Sequence, residues 1–166
     1  MKHIISITVL LGLLSNPLKL ENKGTKVVKP QKIKLSFYDK HFISKVSITM
    51  YHPVESQTDG TPDIVADGTK FDIPTASKLR WVAVSRDLHK RWGGKLSFGD
   101  IVYLDIAKNN KKGYYRVKDT MNKRWVKKID ILESPGEGMY KFQDIKLFLI
   151  VPKNKDKDKL WVKLFI

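Results

Sequence analysis

Two aspartates stand out in the stretch YYRVKDTMNKRWVKKIDIL, residues 114–132. Asp119 closes one alternating apolar run, and Asp130 sits between Ile129 and Ile131 in the next. The chain carries 32 Lys and Arg against 17 Asp and Glu, so a carboxylate set among apolar residues is the scarcer charge in a costly place. The link MNKRWVKK between the two runs is short enough to bring both ends together. A carboxyl pair brought together at one site can do acid–base chemistry. Two bland readings compete: Asp119 as a turn or cap residue, and Asp130 as the partner of Lys127 or Lys128. Alternation adds a condition, because Tyr115, Val117 and Asp119 share one parity whereas Asp130 falls opposite Ile129 and Ile131. The neighbouring cations Arg124, Lys127 and Lys128 would lower both carboxyl pKa values if they point inward, and apolar flanks would raise them.

Other chemistry finds little support. Four His, at 3, 41, 52 and 89, form no HxH or HExxH pair, and no acidic cluster imitates a calcium loop, so neither a metal nor another cofactor is expected. There is no GxSxG, and Trp92-Gly93-Gly94-Lys95 lacks the spacing of a phosphate-binding loop. Cysteine is absent, which excludes disulfides, thiol catalysis and zinc-thiolate sites. Of Trp81, Trp92 and Trp125, Trp81 sits in an apolar strand and reads as core, and Trp125 lies in a polar loop between the two Asp.

The elements that must position these residues are short and β-like. KVSITMY, LRWVAVS, GDIVYLDIA, GYYRVKD, KKIDIL and FQDIKLFLI alternate or are rich in β-branched residues, and turn chemistry separates them. PTASKL and SRDLHKRWG read as helices of one or two turns, with Asp87 placed to start the second. Several short strands with few helices predict an all-β barrel or sandwich. With 166 residues, 42% hydrophobic and 30% charged, the chain suits one domain with tails. Residues 1–15 read as a signal peptide or an N-terminal segment, 16–44 as a basic linker or arm, and 45–166 as the folded domain, closed by a hairpin in which KNKDKDK is the tip and LWVKLFI the return strand. The apolar run Ile4–Leu14 is too short to span a bilayer. The net charge of +15 implies a polyanionic partner. Nucleic acid is the poorer fit, because the basic residues are spread throughout with no accompanying RNA-binding aromatic signature.

From Lys45 to about Ile150 the chain resembles the double-psi β-barrel of cell-wall lytic enzymes, namely the three-Asp domains, the barrel of membrane-bound lytic transglycosylase A and rare lipoprotein A, with expansins as related barrels. VSITMYHP resembles the opening strand that ends in Tyr, and VADGTKFD the small-x-Gly turn. WVAVSRDL and LSFGDIVYLD resemble the next two strands and their turn, and VKDTMNKRWVKKIDIL the Asp-Thr and apolar-Asp-apolar pair. FQDIKLFLI then matches the closing strand. The first Asp of the three-Asp pattern aligns with Ser85, with Asp87 two residues on; Met121-Asn122 replaces Gly-Gly, and Thr69 stands where rare lipoprotein A-like chains place a Glu.

The resemblance implies a small six-stranded double-psi β-barrel with short helices and a basic N-terminal extension. It also implies a peptidoglycan lytic transglycosylase with Asp130 as acid/base and Asp119 beside it, and with Thr120, Trp125, Arg124, Tyr51 and Ser85 binding substrate. Peptidoglycan or another acidic wall glycan would be the partner of a secreted, periplasmic or wall-associated protein. The alternatives are a non-catalytic expansin-like wall-binding module, and a structural bacteriophage virion protein that contacts other virion proteins.

Overall fold

The computed structural model describes residues 38–153 except 59 and 108–110. The N-terminal segment 1–15, the arm as far as residue 37, and the C-terminal hairpin lie outside the described residues.

Six strands form: β1 (Tyr38–Tyr51), β2 (Trp81–Val84), β3 (Ile101–Leu104), β4 (Gly113–Thr120), β5 (Lys128–Leu132) and β6 (Phe142–Pro152). They close into a barrel in the order β1-β5-β2-β4-β3-β6. The fold is therefore all-β, and each of the six runs expected to be a strand contributes one. β1 and β5 are parallel, as are β2 and β4, while every other pair is antiparallel. The expected helices are 3-10 turns, Ile73–Leu79, Arg86–Leu88 and Lys90–Trp92. One boundary moves: β1 begins at Tyr38, inside the stretch expected to be linker. Tyr38 to Ser44 pair with Pro152 to Leu147 of β6, so cross-strand pairing rather than an apolar face makes this polar segment a strand.

Alternation fills the barrel. Val46, Ile48 and Met50 of β1, Val82 and Val84 of β2, Val102 and Leu104 of β3, Tyr115 and Val117 of β4, Ile129 and Ile131 of β5 and Leu147 of β6 form one buried cluster. The residues between them face outward, and on β1, β5, β2 and β4 that outward face carries the candidate site. Beyond β5 the core is sealed by Glu133, only 2% exposed, which takes Lys111 Nζ at 2.6 Å and the Tyr140 hydroxyl at 2.5 Å. Ser134 and Ser77 exchange backbone-to-hydroxyl hydrogen bonds of 2.7 and 3.1 Å, tying the first 3-10 helix to the end of β5.

Candidate active site

Strand register places the two aspartates. Thr49 of β1 pairs with Asp130, Asp130 pairs with Ala83 of β2, and Ala83 pairs with Asp119 of β4. Paired neighbours point to the same side of a sheet, so Thr49, Asp130, Ala83 and Asp119 form one row across adjacent strands. Ala83 is the only residue between the carboxyl-bearing strands in that row, and its methyl group leaves room for both side chains. The parity conflict is resolved by an irregularity in β4. Val82 pairs with Val117 but Ala83 pairs with Asp119, so Lys118 is an extra residue in the ladder. The bulge turns Asp119 away from the face of Tyr115 and Val117 and onto the face of Asp130.

The bulge is tied down on every side. The Lys118 carbonyl accepts from Asp67 N–H at 3.2 Å, and its ammonium bonds Asp67 Oδ2 at 2.8 Å and Thr69 Oγ1 at 2.9 Å. Burial pushes the Asp67 carboxyl up, but the hydrogen bonds from Lys118 and Thr69 outweigh it and hold the pKa below the usual aspartate value. Gly68, at φ +84°, lets the Val65–Thr69 turn close so that Ala66 N–H points at Asp119. Thr69, which by resemblance stands where rare lipoprotein A-like chains place a Glu, is thus engaged by Lys118.

Asp119 is held at both oxygens. Oδ1 accepts from Thr120 N–H at 2.7 Å and Ala66 N–H at 3.2 Å, and Oδ2 accepts from the Tyr51 hydroxyl at 3.1 Å. Tyr51 is itself held far above its ordinary pKa, first by burial, then by the charge and hydrogen bond of Asp119, then by the charge of Asp130. It is therefore a fixed donor that senses both carboxylates.

Among the described residues, Asp130 is held at one oxygen. Thr49 Oγ1 donates to its Oδ1, and Lys128 Nζ lies 3.9 Å from the same atom. Burial raises the Asp130 pKa most, Lys128 opposes it, and Asp119 adds to the rise, so the net shift is upward. That decides the contest left open between inward cations and desolvation. The source of the burial differs from expectation, because Ile129 and Ile131 point into the core on the opposite face. The outward-facing neighbours enclose the carboxyl instead.

The remaining expected residues divide. Thr120 brings its backbone N–H to Asp119. Trp125 is 37% exposed in the β4–β5 link, with Lys128 Nζ 3.7 Å and Arg124 Cζ 5.1 Å from its ring centre. Asn122 shapes that link by accepting Arg124 N–H at its side chain and Trp125 N–H at its carbonyl, both at 3.1 Å. Ser85 has no exposed surface, and so is not placed to touch a substrate. It accepts Lys128 N–H at 3.0 Å and donates its own N–H to the Lys128 carbonyl at 2.9 Å. Asp87 does not cap the helix it was expected to start; its carboxylate takes the N–H of Lys127, which has a left-handed φ of 47°. Trp81 is only half-buried and lies outside the core cluster, edge-on to Phe71 with Lys118 Nζ 5.2 Å from its ring. Thr49, Ala83 and the Ala66 N–H were not singled out in the sequence. Thr49 and Tyr51 share the outward parity of β1, which was the available signal.

No group of three His, Asp or Glu that could hold a metal occurs among the described residues, and no helix among them is long and apolar enough to cross a membrane. Against known proteins, the chain matches no family model, and no curated protein is similar to it in sequence.

Proposed function

We propose that the chain is a peptidoglycan-acting lytic transglycosylase built on a double-psi β-barrel, with Asp130 as its acid/base. The observation that carries this reading is the row Thr49–Asp130–Ala83–Asp119, in which a bulge brings two carboxyl groups to one outer face. The two parallel pairs in an otherwise antiparallel closed ring support the double-psi architecture.

Asp130 suits a single-carboxyl mechanism. Its Oδ1 is engaged by Thr49 and Lys128, which leaves Oδ2 to carry the exchangeable proton. Its raised pKa keeps part of the population protonated at higher pH than an ordinary aspartate. In the first step that proton passes to the glycosidic oxygen as its bond to the muramic acid anomeric carbon breaks. The C6 hydroxyl oxygen of the same sugar then bonds to that carbon, and its proton goes to the Asp130 carboxylate. A 1,6-anhydro ring forms, the acid is regenerated and no water is consumed. The attack is intramolecular, so little entropy is lost in bringing the groups together. Asp119, fixed by three donors, offers a negative charge to the cationic ring. Trp125 offers an exposed ring for a sugar face, and the basic surface holds the protein to wall carboxylates and phosphates. The reading places the chain outside the cytoplasm, secreted or carried on a phage particle.

A non-catalytic wall-binding module is favoured by one observation, the engagement of Thr69 with Lys118 where a related mechanism has a Glu. Incubation with purified peptidoglycan separates the two readings. Mass spectrometry is expected to show 1,6-anhydromuramic products with wild type, reduced about 100-fold or more in Asp130→Asn. Sedimentation of both proteins with walls and no product from either would establish the binding module instead.

A further inference from the structure

The ammonium of Lys128 touches two parts of the candidate site at once. It lies 3.9 Å from Asp130 Oδ1 and 3.7 Å from the centre of the Trp125 ring. The second distance is contact, so that face of the indole cannot hold a sugar while the ammonium is there. The Lys128 backbone is clamped by Ser85 on both its N–H and its carbonyl, so a displaced ammonium must leave by side-chain rotation alone. Its side chain is 13% exposed, which gives it a path to solvent.

The groups around Asp130 give such a movement a consequence. Thr49 and Tyr51 face it from β1, Ala83 from β2, Asp119 from β4 and Lys128 from its own strand. Lys128 is the one cation paired with Asp130 among the described residues. Burial and the Asp119 charge both favour the protonated carboxyl, and the Lys128 ammonium is the charge that opposes them.

We propose that Lys128 is a positioning residue that couples the Trp125 platform to the acid: a sugar ring seated on Trp125 displaces the ammonium, and Asp130 loses its counter-charge only when that platform is occupied. The empty platform would then keep the carboxyl partly ionised and idle, and the occupied one would arm it with its proton. This inference rests on the reading of Asp130 as the acid and Trp125 as a sugar platform, and it adds the order of events between them.

The test is a carbon-13 NMR titration of the Asp130 side-chain carboxyl in the full chain, free and saturated with the N-acetylglucosamine tetramer. In wild type the midpoint is expected to rise by about one pH unit on saturation, the size an opposite charge at this distance commands. Lys128→Met is expected to show the raised midpoint without ligand and no further rise with it, whereas Lys128→Arg keeps the wild-type midpoint and the ligand response. A tetramer that binds, shifts the Trp125 indole resonance and leaves the Asp130 midpoint unmoved overturns the coupling while leaving the sugar-platform reading intact; Arg124 would then be the cation displaced. Equal midpoints in free wild type and free Lys128→Met also overturn the coupling. A folded chain that binds no glycan overturns the sugar-platform reading and the coupling together.

Discussion

At the scale of single residues, the difference between the two carboxyl groups is one of hydrogen bonding. Asp119 receives two backbone N–H groups and a phenol, a set that stabilises a fixed negative charge. Asp130 receives one hydroxyl and a more distant ammonium on the same oxygen. Changing the donors should therefore have unequal effects. Tyr51→Phe removes one of three donors to Asp119 and is expected to cost about 1–3 kcal/mol of stability, measured by urea unfolding, because a buried ring remains beside a less satisfied carboxylate. Thr49→Val removes the one hydroxyl that fixes the Asp130 rotamer. On the proposed function it is expected to lower the rate of anhydro-product release about tenfold, with little change in unfolding free energy. A Thr49→Val protein as fast as wild type would show that the hydroxyl does not orient the acid.

At the scale of elements, the bulge in β4 matters more than any one strand. A one-residue slip exchanges the two faces of a strand, so the pairing that leaves Lys118 out of the ladder decides whether Asp119 meets Asp130 or the core. Deleting Lys118 puts Asp119 directly after Val117 and so keeps its carboxylate on the outer face, but removes the carbonyl and ammonium that hold Asp67 and Thr69, and is expected to cost about 1–3 kcal/mol of stability, measured by urea unfolding. Lys118→Met keeps the residue count but removes the ammonium that holds Asp67 and Thr69. Circular dichroism and unfolding are expected to show a folded barrel with a modest loss of stability.

The six strands were legible in the sequence because alternation and β-branched residues report a buried face directly. The pairing of the carboxylates was legible only as a spacing. Alternation assigned Asp119 to the apolar face, and nothing in GYYRVKD marks Lys118 as the supernumerary residue. Ser85 was expected at the substrate by resemblance, but its burial under the Lys128 backbone follows from a contact between segments far apart in the chain. For the same reason the start of β1 at Tyr38 was hidden: YDKHF has no apolar face, and its partner lies at the far end of the domain.

At the scale of the whole molecule, charge and stability pull in different directions. On the proposed function, the net charge of +15 should make attachment to wall polymers fall steeply as salt rises from low to physiological strength, checked by sedimentation with walls across a sodium chloride series. Stability depends on the few acids that are buried. Burial pushes the Glu133 carboxyl up, but hydrogen bonds from Lys111, Tyr140 and Ser77 and the Lys111 charge outweigh it, so its folded pKa lies below the ordinary value. Its contribution is present above the unfolded pKa and is lost as pH falls through the folded one. Glu133→Ala leaves Lys111 and the Tyr140 hydroxyl without their partner and is expected to cost about 3–5 kcal/mol at neutral pH.

Asp130 has the opposite sign. Its folded pKa is raised, so the folded state binds more protons than the unfolded chain between the two values. The stability it contributes is complete below the unfolded pKa of about 4 and disappears as pH rises through the folded value. At neutral pH the ionised carboxyl is a cost to the fold, one that the proposed acid catalysis would require. Asp130→Asn removes the titration but keeps an oxygen for Thr49. The difference in unfolding free energy between Asp130→Asn and wild type is therefore expected to grow in favour of the variant from pH 4 to pH 7. Urea unfolding of both proteins at several pH values across that range isolates this group, because Glu133 and Asp67 titrate alike in each. A difference that stays flat with pH would mean that Asp130 has an ordinary carboxyl in the folded protein, and the case for it as the proton donor would rest on position alone.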